Sequence, residues 1–170
     1  DVLIPRNETE ILVEDAISYV ERKYHANFRI AEIGVGSFAL GLSVLIDLKS
    51  PVDFWGGDIS SAAIGVARTN LFRLRSKIHH KTKVELYISD RMEMGKGKFD
   101  LILSNPPYIR EKADRSGVHD SVNSAEPHLA LYLADDIYNE WFIELFTQTS
   151  EKLNDGGAFL MDGHEDTLPE

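Results

Sequence analysis

The sequence predicts an α/β fold, in which a mostly parallel sheet carries helices on both faces. Helical and strand patterns alternate along the chain, and parallel strands need crossover connections that pack against the sheet. The 170 residues are 43% hydrophobic and 27% charged, which is typical of a globular domain with one sizeable core. We therefore expect a single domain that spans residues 1–170.

Each element follows from its own apolar pattern. Apolar residues at helical spacing predict helices over residues 9–24, 37–48, 60–78 and 137–153. Short apolar runs predict strands over residues 28–33, 52–57, 83–89, 99–104 and 158–161. Asp155-Gly156-Gly157 is expected to turn the chain from the last helix into the last strand. Residues 109–136 are irregular and predict a loop of a length that is usually functional or disordered.

Composition and charge exclude several classes of function. The 18 Lys+Arg against 28 Asp+Glu give a formal net charge of −10, which argues against stable nucleic-acid binding. The absence of cysteine excludes disulfides, thiolate zinc sites and a cysteine nucleophile, and the histidines show no metal-ligand spacing, so we expect no metal site. No apolar run reaches the ~20 residues of a membrane span. Because the chain starts with Asp1 rather than Met, we expect it to be trimmed at that end.

Glycine and acidic residues follow the first two predicted strands. In an open parallel sheet, ligands bind beyond the carboxyl ends of the strands. Gly34 and Gly36 permit a tight turn and a close approach of the backbone to a ligand. Asp58 follows the second strand, where a carboxylate can accept hydrogen bonds from ribose hydroxyls. A turn without a ligand, a helix cap near Ser60 and a nicotinamide dinucleotide site all remain open for these residues.

Asn105-Pro106-Pro107-Tyr108 follows the fourth strand and favours one chemistry. Two consecutive prolines have fixed φ angles and no N–H groups, so they predict a rigid loop with free carbonyl oxygens. The Asn105 amide oxygen and the Pro106 carbonyl can accept both hydrogens of an –NH2 group, while Tyr108 offers a flat face for stacking. This arrangement suits a planar nitrogen nucleophile.

Three segments resemble the release-factor glutamine methyltransferases, which are class I S-adenosylmethionine-dependent enzymes of the HemK/PrmC type. Asn105-Pro106-Pro107-Tyr108 is similar to their N-P-P-Y motif, and Ile4 to Glu10 is similar to their I-P-R-P-[ED]-T-E signature. Glu126 to Leu131 resembles their E-P-x-x-A-L segment. The resemblance implies a Rossmann-like fold and methylation of the side-chain amide of the glutamine in the G-G-Q motif of a peptide chain release factor. The partner would be that release factor, and the product of the cofactor would be S-adenosylhomocysteine.

The resemblance also implies roles for the matching residues. The residues around S-adenosylmethionine would be Glu32, Gly34, Gly36, Asp58, Ile59, Asp90, Arg91 and Asn105. The residues that hold the substrate glutamine would be Asn105, Pro106, Pro107 and Tyr108. The residues around the substrate loop would be Pro5, Arg6, Thr9, Glu10, Glu126 and Pro127. Within this scheme, Asp58 would hold the ribose, Ile59 would lie beside the adenine and Asp90 would face the adenine amino group.

The expected domain then divides into four parts. The N-terminal helix and the Pro-Arg-x-x-Thr-Glu motif are expected in residues 1–26, and the cofactor-binding half in residues 27–108. The substrate loop is expected in residues 109–136, and the C-terminal helix and strand in residues 137–170. The last strands of the family's usual seven are expected to be missing, which leaves an unprotected sheet edge. We expect the bacterial cytoplasm as the compartment, or an organelle if an N-terminal segment has been removed.

Two other functions fit part of the pattern. An adenine-N6 methyltransferase acting on DNA or RNA uses the same N-P-P-Y logic on a flipped base, but the Ile4-to-Glu10 segment and the acidic balance favour the release factor. A catalytically silent interaction module is the third alternative, because Phe38 stands where the family usually has a third glycine. We expect Phe38 to pack away from the ligand.

Overall fold

Helices and strands alternate along the chain, as the sequence predicts. The structure, a computed structural model, describes residues 7–114 and 128–163. The first elements are α1 (Asn7–Lys23), β1 (Arg29–Ile33), α2 (Ala39–Asp47), β2 (Asp53–Asp58), α3 (Ser61–Leu74), a 3-10 turn (Arg75–Lys77), β3 (Lys83–Ile88) and β4 (Phe99–Ser104). The later elements are β5 (Ile109–Arg110), α4 (His128–Leu131), β6 (Tyr132–Leu133), α5 (Tyr138–Lys152) and β7 (Leu153–Met161).

Five strands form one sheet in the order β3-β2-β1-β4-β7. All four pairings between neighbouring strands are parallel. The chain moves outward from β1 to β3 and then returns to the other side of β1 with β4, so β1 and β4 flank the topological switch point. A crevice at this point is the usual ligand site of an open α/β sheet. The predicted α/β fold is therefore confirmed.

Helices cover both faces of the sheet. On one face, Ile30 of β1 and Leu101 of β4 are buried in a cluster with residues of α1, α2 and α3. On the other face, Ala31 of β1 is buried with Phe142 and Leu145 of α5. Successive residues of a strand point to opposite faces, which is why Ile30 and Ala31 join different clusters. Within the described ranges, no helix has the length and apolar character needed to cross a membrane.

The predicted turn at Asp155-Gly156-Gly157 is wrong, because these residues lie inside β7. Gly156 has a φ of +73°. The pairing of β7 with β4 shifts register between Phe99 and Leu101. The glycines thus make an irregularity within the strand, as extra residues in a strand commonly do.

The prediction of an irregular segment over residues 109–136 is also wrong in part. Its described residues contain β5, α4 and β6, and the two short strands pair in parallel, with Ile109 opposite Tyr132 and Arg110 opposite Leu133. The Glu111 N–H donates to the Leu133 carbonyl at 2.9 Å. The chain after Asn105-Pro106-Pro107-Tyr108 is therefore tied to the chain just before α5.

Phe38 is buried in the core and does not line the cavity described below, which agrees with the expectation that it packs away from the ligand. Its ring contacts Phe54 of β2 at a centroid distance of 5.2 Å. The backbone of Phe38 is left-handed, with φ 68° and ψ 22°, a conformation that normally favours glycine. A Cβ at Gly41 would overlap both the Phe38 ring and the Glu32 carboxylate. Gly41 therefore provides the close approach that lets the ring fit under α2.

Replacing Phe38 is expected to reverse the usual order of alanine and glycine. Phe38→Ala removes the buried ring and keeps the left-handed strain, so the free energy of unfolding should fall by about 3–5 kcal/mol. Phe38→Gly loses the same packing but relieves the strain, and should be more stable than the alanine variant by about 1 kcal/mol. Urea denaturation of both variants checks this. A glycine variant less stable than the alanine variant would contradict the account of the turn.

Candidate active site

A cavity of about 450 Å³ opens at the carboxyl ends of β1, β2, β3 and β4. This volume lies in the range of small-molecule sites. All eight residues predicted to surround the cofactor line it: Glu32, Gly34, Gly36, Asp58, Ile59, Asp90, Arg91 and Asn105. They converge because parallel strands end at the same edge of the sheet.

The turn after β1 is held by the end of β2. The N–H groups of Gly34 and Val35 donate to the Gly57 carbonyl at 2.8 and 3.1 Å. Gly34 and Gly36 have φ angles of +71° and +51°, so a side chain at either position would strain the turn. The turn can therefore bring its backbone close to a ligand.

The Asp58 carboxylate bridges two neighbouring segments. One oxygen accepts the Gly36 N–H at 2.8 Å, and the other accepts the Ser60 N–H at 2.8 Å. Ser60 is itself the N-cap of α3 and accepts the Ala63 N–H at 3.2 Å. Each carboxylate oxygen has a second lone pair, so Asp58 can support the helix start and still accept hydrogen bonds from a ligand. A role in capping the helix and a role in binding a ligand, both left open for Asp58 by the sequence, are therefore compatible with each other.

Glu32 lines the cavity and is almost completely buried, and its Oε2 has no hydrogen-bond partner among the described residues. Burial raises the pKa of the Glu32 carboxyl well above its usual value, the Gly41 N–H lowers it and the neighbouring Asp58 carboxylate raises it further. Thr9 Oγ1 and Arg91 Nε are also buried without a partner in the described part of the chain, and both residues line the cavity. Unsatisfied polar atoms are costly in a packed interior. Of the four such atoms among the described residues, only Trp55 Nε1 belongs to a residue that does not line the cavity, and this distribution fits a polar ligand.

Glu32→Gln is expected to make stability less dependent on pH. A carboxyl whose pKa is raised by folding contributes stability that is present below the pKa of the unfolded chain and is lost as pH rises through the pKa of the folded state. The amide resembles the neutral acid at every pH. The variant should therefore gain stability over the wild type as pH rises above the usual pKa of a glutamate carboxyl. Denaturation curves measured from acidic to alkaline pH check this prediction. Glu85→Gln, at an exposed position of β3, is the control. Equal pH profiles of stability for Glu32→Gln and the wild type would contradict the prediction.

Arg91 connects the loop after β3 to α5. Its guanidinium forms an ion pair with Asp90 at 3.0 Å and a second one with Glu144 of α5. The same guanidinium lies over the Trp141 ring, 5.4 Å from its centroid, within the range of a cation–π contact. The side chain of Arg91 is only 8% exposed although the residue carries a charge. The cavity wall is therefore stiff beside Asp90.

Asn105, Pro106 and Pro107, which we call the proline lip, also line the cavity. Neither the Asn105 side chain nor the Pro106 carbonyl makes a hydrogen bond with the residues that the structure describes, so both oxygens are available to a ligand. Tyr108 does not line the cavity and instead packs against the cluster that contains Tyr138 and Phe142. The geometry thus brings three of the four predicted substrate-holding residues to the cavity and places the fourth beside it.

The predicted substrate-loop residues divide into two groups. Thr9 lies on α1 and lines the cavity, whereas Glu10 next to it is exposed and does not. Pro5, Arg6, Glu126 and Pro127 lie outside the described residues, and their roles stay predictions.

Some residues that line the cavity are not among those that the sequence predicted. Trp141 of α5 and Leu133 of β6 line the cavity, although the helical spacing at Trp141 is also that of a core position. Ser89 and Ser104, at the ends of β3 and β4, also line it. The rule that ligands meet the ends of parallel strands could have found the two serines, since each directly ends a predicted strand.

Comparisons with known proteins agree with this geometry. The methyltransferase small domain family matches residues 9–131, which include the glycine turn, Asp58 and the proline lip. The chain belongs to this family. The resemblance drawn from the three motifs is confirmed as well, because relatives named release factor glutamine methyltransferase match over most of the chain.

Two of these relatives illustrate the extent of the match. The release factor glutamine methyltransferase of Clostridium acetobutylicum is 36% identical over 94% of this chain and 53% of its own length. That of Haemophilus influenzae is 34% identical over 94% of this chain and 55% of its own. The chain therefore spans about half the length of these relatives.

A solved structure supports the fold. The O-methyltransferase TomG of Streptomyces achromogenes, in complex with S-adenosylmethionine, matches with a TM-score of 0.58 and 13% identity, over 95% of this chain and 57% of TomG. At this identity the likeness concerns the fold alone. The Rossmann-like methyltransferase fold is thus confirmed.

Proposed function

We propose that this chain is the catalytic part of an S-adenosylmethionine-dependent methyltransferase that modifies the side-chain amide nitrogen of a glutamine, in the G-G-Q motif of a peptide chain release factor. The observation that carries the proposal is one shared cavity, which is lined by the glycine turn, by Asp58 and by the proline lip. The names of the relatives support the choice of substrate.

The cavity fits the proposed cofactor in its donor set. Asp58 has spare lone pairs for two ribose hydroxyls, and Asp90 can accept the amino group of an adenine that lies beside the exposed Ile59. The unpartnered Glu32 Oε2 lies by the glycine turn, where a positively charged methionine part would offset its burial. S-adenosylmethionine, when bound, supplies an electrophilic methyl group on a sulfonium.

The lip is suited to an amide nitrogen, which is a poor nucleophile because its lone pair is delocalised into the carbonyl. The Asn105 Oδ1 and the Pro106 carbonyl would each accept one N–H of the substrate amide and point the nitrogen into the cavity. The same two acceptors stabilise the positive charge that develops on this nitrogen. The chain needs no strong base at this place, since an N-alkylated amide cation loses its proton readily to water. Orientation at near-attack distance carries most of the rate enhancement.

A labelling experiment tests the substrate. The protein is incubated with methyl-labelled S-adenosylmethionine and either a purified release factor or an oligonucleotide that contains adenines. We expect label on the release factor, and none on a matched release factor whose G-G-Q glutamine is replaced by alanine.

Two outcomes would reject the proposal. Label on the oligonucleotide alone would indicate an adenine-N6 methyltransferase. Calorimetric titration that shows no binding of S-adenosylmethionine would indicate a catalytically silent interaction module.

A further inference from the structure

Of the three residues in the proline lip, only Asn105 has a backbone N–H that can help to hold the lip in place. Pro106 and Pro107 have no N–H groups, and a lip that must present two acceptors needs its carbonyl groups held in a fixed orientation. The residues that follow the lip are therefore important for its geometry, and α5 contacts them directly.

Tyr138, the first residue of α5, reaches the end of the lip. Its hydroxyl donates to the Tyr108 carbonyl at 3.0 Å. The side chain of Tyr138 is almost completely buried, at 2% exposure, and its ring contacts Phe142 one helical turn further on at 5.1 Å. A hydrogen bond from such a fixed ring restricts the rotation of the peptide group that it holds.

The surroundings of Tyr138 are themselves well anchored. The Arg110 guanidinium lies over the Tyr138 ring at 5.7 Å and forms two hydrogen bonds of 2.9 Å with the Asp114 carboxylate. At the other end of α5, Lys152 donates to the Gly95 carbonyl at 2.6 Å, and Gln148 accepts the Met92 N–H at 3.0 Å. The helix is thus fixed to the loop between β3 and β4, which forms the cofactor side of the cavity.

We propose that Tyr138 is a positioning residue for methyl transfer: its hydroxyl fixes the Tyr108 carbonyl and, through it, the direction in which Asn105 and Pro106 present their oxygens. This inference rests on the proposed function, because it assigns the lip to the substrate. Tyr138 itself does not line the cavity, so it acts through the lip and should affect the rate of transfer more than the binding of the cofactor.

Tyr138→Phe tests the inference, because it removes the hydroxyl and keeps the ring. Tyr19→Phe is the matched control: the Tyr19 hydroxyl also donates to a backbone carbonyl, that of Gly156, at 2.7 Å in a part of β7 remote from the lip. We expect kcat of Tyr138→Phe to fall roughly tenfold, with its Kd for S-adenosylmethionine unchanged. The control should keep both values while its Tm falls by a comparable amount.

Hydrogen–deuterium exchange of the peptide that covers residues 103–112 gives a second readout that needs no substrate. Exchange there should be faster in Tyr138→Phe than in the wild type or in Tyr19→Phe. Unchanged exchange together with unchanged kcat would overturn the inference. If the wild type fails to methylate a release factor but exchange in the lip still accelerates, the proposed function fails and the positioning of the lip by Tyr138 stands.

Discussion

Asn105→Ala should lower the turnover of methyl transfer by about 10²–10³-fold and change the affinity for S-adenosylmethionine only slightly. The Asn105 side chain has no structural partner among the described residues, so its removal costs little stability. It supplies one of two acceptors that orient the substrate amide and stabilise its developing charge. An acceptor that acts mainly in the transition state affects kcat rather than ground-state binding.

Single-turnover transfer and calorimetric titration measure the two effects separately. Asn139→Ala, at an exposed position of α5, is the matched control and should behave like the wild type. A loss of cofactor affinity as large as the loss of turnover would contradict the role given to Asn105.

Asp58→Ala should act mainly on cofactor binding and on stability. The Gly36 and Ser60 N–H groups would each lose their carboxylate acceptor, and the ribose would lose its own. We expect the Kd for S-adenosylmethionine to rise about a hundredfold or more, and the free energy of unfolding to fall by about 2–4 kcal/mol. Calorimetric titration and urea denaturation measure the two effects.

Asp58→Asn separates the two roles of this residue. An asparagine side chain keeps one acceptor oxygen and can hold one of the two N–H groups, so its stability should lie between those of the wild type and Asp58→Ala. Wild-type affinity in both variants would show that Asp58 only supports the turn and the start of α3.

The sequence predicted the positions where the strands end, and this is why it also predicted most of the cavity. Gly34, Asp58, Asp90 and Asn105 are far apart in sequence, but each lies at or just after the end of a parallel strand. The topology of the sheet alone brings such residues to one edge. Their convergence therefore follows from a correct assignment of four strands, without any knowledge of side-chain contacts.

Other features had no signal of this kind. The strands β5 and β6 have only two residues each, which is too short for a periodic pattern. The glycines in β7 indicated a turn because local preference favours one. In the structure they lie within β7, in the irregular stretch between Leu153 and Ala158, the residues that pair with β4 on either side. Trp141 has the helical spacing of a core residue, and only the three-dimensional arrangement shows that it borders the cavity.

The central claim is that the lip holds a carboxamide beside the methyl donor, and a structure with S-adenosylhomocysteine and a G-G-Q peptide tests it most directly. We expect the cofactor product to lie between Gly34 and Asp58, and the two hydrogens of the glutamine amide to point to Asn105 Oδ1 and the Pro106 carbonyl at roughly 2.7–3.2 Å between heavy atoms. A glutamine bound elsewhere, or an amide nitrogen separated from the sulfur by protein atoms, would contradict the account.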